Sequence, residues 1–124
     1  MLIFTFPTAG SWTEIISIIL LFLLLWSVQG MEDGRVLIAS NTGGQLALYA
    51  ASAAKVIWIV GAQKIVRDVE DGMRRIEEYA YPREDQRLRQ AMGVPSGINK
   101  LLIVNKEIQR GRMTMIIVKE ELEY

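Results

Sequence analysis

Val56-Ile57-Trp58-Ile59-Val60 is the stretch on which the fold turns. Five consecutive apolar residues, four of them β-branched, do not alternate as a half-wetted strand would, and the run is too short for a helix. The reading is a strand buried on both faces, as in a parallel sheet. Upstream, residues 45–54 (QLALYAASAA) are rich in Ala and Leu and predict a helix. Residues 41–44 (NTGG) break the chain before it, and residues 35–40 (RVLIAS) predict a short strand. Glu32-Asp33-Gly34 is a turn, because Asp-Gly favours positive φ.

Downstream, residues 61–64 (GAQK) form the next turn. Ile65, Val69, Met73, Ile76 and Ala80 follow helical spacing and predict a helix over residues 65–80. Glu70 with Arg74, Asp71 with Arg75 and Arg74 with Glu78 would then pair on its wet face. Tyr81-Pro82 is expected to break this helix, and residues 83–92 to resume as a short, highly charged one. Residues 93–97 (GVPSG) are a rigid loop, read either as structural or as a lid or partner contact. Residues 101–104 and 113–118 predict two more strands, with residues 109–112 closing a hairpin between them. The order strand, helix, strand, helix, helix, strand, strand makes an α/β layer. Four short strands and two or three helices give a thin core, so a partner chain or a missing half is expected. Homo- or hetero-oligomers follow from the same argument.

Charge divides the 124-residue chain into two pieces, 1–30 and 31–124. Glu14 is the one charged side chain in the first piece. Lys plus Arg and Asp plus Glu number 14 each, so net charge gives no pull toward nucleic acid. Absence of Cys and His excludes disulfides, thiol nucleophiles and cluster ligation by this chain. No metal site, cofactor or catalytic residue is expected from the sequence. The adjacent carboxylates Glu77-Glu78 and Glu120-Glu121 diverge in direction and make no acid/base pair.

Residues 15–28 (IISIILLFLLLWSV) are apolar apart from two serines, with Trp12 and Trp26 toward the ends. Residues 11–28 as a helix would span roughly 27 Å, near the roughly 30 Å of a bilayer core. Three readings stay open: a membrane anchor through residues 12–28, a helix buried in a core or oligomer interface, or a non-native N-terminus from a shifted frame or misplaced start. The basic residues begin at Arg35, which favours a cytoplasmic C-terminal part attached to the membrane by one helix.

The candidate site is Ser40, Asn41, Thr42, Gly43 and Gly44, after a strand and before a helix. Backbone N–H groups there favour a phosphate or carboxylate. The alternative is a tight turn whose Asn or Thr caps the helix. Gln63 and Lys64 follow the next strand in the same topological position, so Lys64 is placed to meet the same anion. Its alternative is a solvated lysine at a helix start. Arg83, Arg87 and Arg89 beside Glu84 and Asp85 read as a wet helix face.

The strings EDGRVLIASNTGGQLA (32–47), KVIWIVGAQKIVRDVEDGMRRIEEYA (55–80) and MGVPSGINKLLIVNKEIQRGRMTMIIVKEELEY (92–124) resemble the lactate-utilisation (LUD) domain family. The resemblance covers about three quarters of the chain and implies the C-terminal half of the domain, in a less characterised branch. It implies an α/β sandwich similar to the sugar-phosphate isomerase and CoA-transferase superfamily. It also implies a component of lactate oxidation acting beside iron–sulfur redox partner proteins, with a small anionic metabolite as ligand. The family domain is roughly twice as long as the matching part, its first half ending just before Glu32. The competing expectation is a truncated or catalytically inactive, membrane-tethered interaction module.

Overall fold

The computed structural model describes residues 27–121. Its first element is strand β1 (Val28–Met31), which crosses the expected division at residue 30. The anchor expected over residues 12–28 lies outside the described residues, except that Ser27 is buried and Val28 opens β1. Among the described residues no helix is long and apolar enough to cross a membrane.

Strand β1 turns at Glu32, Asp33 and Gly34 into β2 (Val36–Ser40). Gly34 takes φ 94°, the conformation an Asp-Gly turn requires. Met31 N donates to Arg35 O at 2.8 Å, closing the hairpin, and Asp33 fixes it by accepting from Arg35 N and Nε. A short helix α1 (Gly44–Ala47) runs on into a π-helical turn (Leu48–Ser52). Then come β3 (Val56–Gly61), a 3₁₀ turn (Ala62–Lys64) and the two-residue strand β4 (Ile65–Val66). Helix α2 (Val69–Arg75), a second π-helical stretch (Ile76–Ala80) and α3 (Tyr81–Met92) form one continuous rod. Strands β5 (Lys100–Val104) and β6 (Met113–Val118) complete the described chain.

The protein is α/β, with six strands among the described residues rather than the four expected, in two sheets. One sheet has the order β4-β1-β2-β5, with β1–β2 and β2–β5 antiparallel and β1–β4 parallel. The other is the parallel pair β3–β6, in register from Val56↔Met113 to Gly61↔Val118. The four-stranded sheet is the middle layer. On one face Met31, Leu37, Ala39 and Val66 pack with Ile76 and Ala80 of the helical rod. On the other, Val28, Val36 and Ile38 pack with Tyr49 and with Val56, Trp58 and Val60 of β3. Tyr49 and Trp58 meet edge to face, ring centroids 5.3 Å apart, at the centre of this second cluster.

Four expectations change. Ile65 and Val66 do not start a helix: they pair with Gly30 and Met31, and the helix begins at Asp68, whose carboxylate accepts from Asp71 N at 2.8 Å. Two β-branched residues gain more from a sheet edge than from a helix end. Pro82 does not break the rod. It sits in the first turn of α3, where a missing N–H costs little. The π-helical turn ahead of it leaves carbonyls free, and Arg83 Nη1 donates to Tyr79 O at 3.0 Å. The β5–β6 hairpin does not form, because β5 pairs with β2 and β6 with β3. Residues 105–112 instead cross from one sheet to the other. Asp71 pairs with Arg67 and Arg74 rather than with Arg75.

Candidate functional site

Ser40 ends β2 and is 1% exposed. Its hydroxyl donates to Gln45 Oε1 at 3.0 Å and accepts from Gly43 N at 2.8 Å, so it shapes the loop from inside and is no nucleophile. Gly43 has φ 88°, which an L side chain rarely adopts. A Cβ there would also stand 2.5 Å from Lys100 Cδ. Asn41 and Thr42 are tied to the segment that leads into β5. Asn99 Nδ2 donates to Asn41 Oδ1 at 2.8 Å, and Lys100 Nζ donates to Thr42 O at 2.8 Å. Asn99 N donates to Ser40 O at 3.1 Å. Gly97 is needed beneath this knot, since a Cβ would lie 2.7 Å from Asn99 Nδ2.

The five loop residues therefore do come together, and the cation that reaches them is Lys100. Lys64 does not. The register sets Ile65 beside Gly30 on the far side of β1, while Ser40 lies opposite Lys100 at the other end of β2. Two strand spacings separate them, on the order of 10 Å. Lys64 is also buried, 1% exposed, and so is not a solvated lysine either. Gln63 shares its 3₁₀ turn. The short α1 offers no side-chain cap, so neither Asn41 nor Thr42 serves as the helix cap.

Asn99 and Lys100 stand in the string over residues 92–124 that carries the family resemblance, where nothing local gives either a role. Their link to residues 41–42 spans 58 positions and follows from β2–β5 pairing, which no local pattern reveals. The preceding loop is held by Asp85, whose Oδ1 accepts from Ser96 N at 2.8 Å. The Arg89 guanidinium, with the Ser96 amide, keeps the Asp85 carboxyl below its usual range. Arg112 was also missed. It is 4% exposed and donates to Ala53 O, Tyr49 O and Leu48 O at 2.8, 3.0 and 2.9 Å and to Glu107 Oε2 at 2.8 Å. It closes the end of the π-helical turn and so holds α1, and with it the loop, against β6. Among the described residues no group of three or more carboxylates is placed to hold a metal ion.

The arrangement can present an ammonium group, a threonine hydroxyl and backbone amides to a small anion. It contains no nucleophile beside a base. Comparison with known proteins gives one family match, the LUD domain, over residues 31–118. No curated protein and no solved structure matches the chain.

Proposed function

The chain belongs to the LUD domain family, and on that premise we propose that it is a lactate-utilisation component that binds a small anionic metabolite at the Ser40–Lys100 corner. The observation that carries this is Lys100. Its ammonium is drawn over the loop at the carboxyl end of β2 by Thr42 O, 2.8 Å away. Strand ends of α/β sheets are where ligands gather, and a lysine fixed at 58 positions' separation brings positive charge to that end. In this reading the protein works in the cytoplasm beside iron–sulfur partners that carry the electrons, with the apolar segment ahead of β1 as its membrane attachment.

Calorimetric titration of the full chain with lactate, pyruvate and a short acyl-CoA ester tests the site. Lys100→Ala should weaken binding several-fold, or about 1 kcal/mol, as expected for a partly exposed charge–anion contact. Absence of binding by the wild type at millimolar concentration would reduce the loop to a turn.

A second reading, an interaction module, is favoured by one observation. Leu101 and Ile103 on the edge strand β5 are 47% and 41% exposed, with Val94 and Met92 exposed near the C-terminus of α3. An apolar edge strand is a template for pairing with another chain. Sedimentation of wild type and a Leu101→Lys, Ile103→Lys variant decides it, since only association through this edge would be lost.

A further inference from the structure

Strand β5 is the last of its sheet, and among the described residues no strand lies beyond it. Its register on β2 sets its two faces. Leu102 and Val104 stand opposite Ile38 and Val36 and pack into the cluster between the sheets. Leu101 and Ile103 stand opposite Ala39 and Leu37, on the side of the helical rod. The rod packs on residues of β1, β2 and β4, so Leu101 and Ile103 lie beyond its cover, 47% and 41% exposed.

Natural sheets guard an edge with a charge, a proline or a bulge. The register of β5 on β2 runs unbroken from Lys100 to Val104, without a bulge. Its one charge is Lys100, and that ammonium is drawn back onto Thr42 O at 2.8 Å, away from the edge.

The strand is complementary to itself. Two copies related by a two-fold axis normal to the sheet, passing beside Leu102, run antiparallel. Leu101 then faces Ile103 of the second copy, Lys100 faces its Val104, and the two Leu102 meet at the axis. Opposite residues share a face of the sheet, so Leu101 and Ile103 of both copies form one apolar patch between the two rods. Neighbouring registers fit worse. Setting Leu101 opposite Leu101 puts Ile103 against Asn99, and setting Ile103 opposite Ile103 puts Lys100 against Lys106. Parallel pairing in register sets the two Lys100 side by side.

We propose that β5 pairs with β5 of a second copy of this chain, antiparallel and centred on Leu102, joining two four-stranded sheets into one. This rests on the reading of the edge as an interaction surface and names its occupant; it does not rest on anion binding at the Ser40–Lys100 corner.

The full chain, in a mild detergent that suits its apolar N-terminal segment, should sediment as a monomer–dimer equilibrium. Its Kd should be on the order of 10 to 100 µM, weak because one strand pair buries less than a standard interface. Leu101→Lys with Ile103→Lys should raise Kd at least about tenfold and, both side chains being exposed, leave the thermal melt in place. Cross-linking reads the register, since the native chain has no cysteine. Mild oxidation of an equal mixture of Leu101→Cys and Ile103→Cys chains should give a disulfide-linked heterodimer. Each variant alone should give little, because its two thiols stand two residues out of register, beyond disulfide reach. Equal cross-linking in the single-variant samples would overturn the antiparallel pairing. A wild type that stays monomeric at about 0.5 mM would overturn the second copy as occupant and leave the edge open to a different chain. Association that survives the two lysine substitutions would overturn the edge reading as well.

Discussion

Strands β2 and β3 are equally apolar in sequence and end in different surroundings. In β2, Leu37 and Ala39 face the helical rod while Val36 and Ile38 face the second sheet, and all four are buried. In β3, Val56, Trp58 and Val60 are buried while Ile57 and Ile59 between them are only half-buried. The first strand is sandwiched; the second is covered on one side by the first. An apolar run therefore reports that a strand has at least one buried face, and neighbours decide whether it has two. Among the described residues the two-stranded sheet is held to the rest by a hydrophobic cluster with Tyr49 and Trp58 at its centre and by Arg112, so its attachment centres on these side chains.

That concentration can be broken most severely at Trp58. Trp58→Ala should cost about 4 kcal/mol by removing the centre of the inter-sheet cluster, whereas Ile57→Ala on the opposite face of the same strand should cost about 1 kcal/mol. Urea melts of the two variants compare the faces directly, and equal losses would mean that β3 is covered on both sides after all. Next is Arg112→Met, which removes the hydrogen bonds to the Leu48, Tyr49 and Ala53 carbonyls and the ion pair with Glu107. A loss of about 3 kcal/mol is expected, as for breaking a buried charge network. Amide exchange should show the rise in opening in residues 48–53 and in β6 before it appears in the helical rod.

The smallest effect is in acid. Asp71 and Asp85 on the rod are held below the usual carboxylate range, the first mainly by the Arg67 amide, the second mainly by the Arg89 guanidinium. Glu107, on the crossing segment, is lowered chiefly by the Gln109 amide, with Arg112 adding to it. Folded values below unfolded ones mean stability that is complete above the unfolded pKa and is lost as pH falls through the folded one. The melting temperature should therefore drop between about pH 5 and pH 3. All three groups are near solvent, so about 0.5 M salt should shrink the drop. A melting temperature flat across that interval would remove these pairs from the account.

Much of this order was legible in the sequence. Asp-Gly at 33–34 marked the hairpin turn, and residues 36–40, 56–60, 101–104 and 113–118 were each recognisable as strands because β-branched runs lie between Gly or Asn breaks. Which strand pairs with which was not legible. The local rule that joins neighbouring strands by a short turn suggested β5 with β6, but β5 is drawn to β2 and β6 to β3 by burial that only the assembled layers provide. The same limit governs the site. Ser40 to Gly44 is a visible break, but its partners Asn99 and Lys100 come from across the sheet. Lys64 was misplaced because the reading gave β3 and β2 a common sheet and a common end. Arg74 and Arg75 read as a wet helix face since nothing local announces the buried Gln29 below them.

The contact between Asn41 and Asn99 has a kinetic meaning as well. The β1–β2 hairpin closes over a three-residue turn and can form within microseconds. The strap that holds the loop joins positions 58 apart, and Arg112 reaches Tyr49 across 63. Both closures lose far more chain entropy than the hairpin does before any contact compensates. Refolding should thus be slow relative to helical proteins of this length, with β5 and β6 docking last. Until they dock, the apolar edge of β2 and the inner face of β3 are open to other chains, so the interval between hairpin and strap is when this molecule is most prone to aggregate.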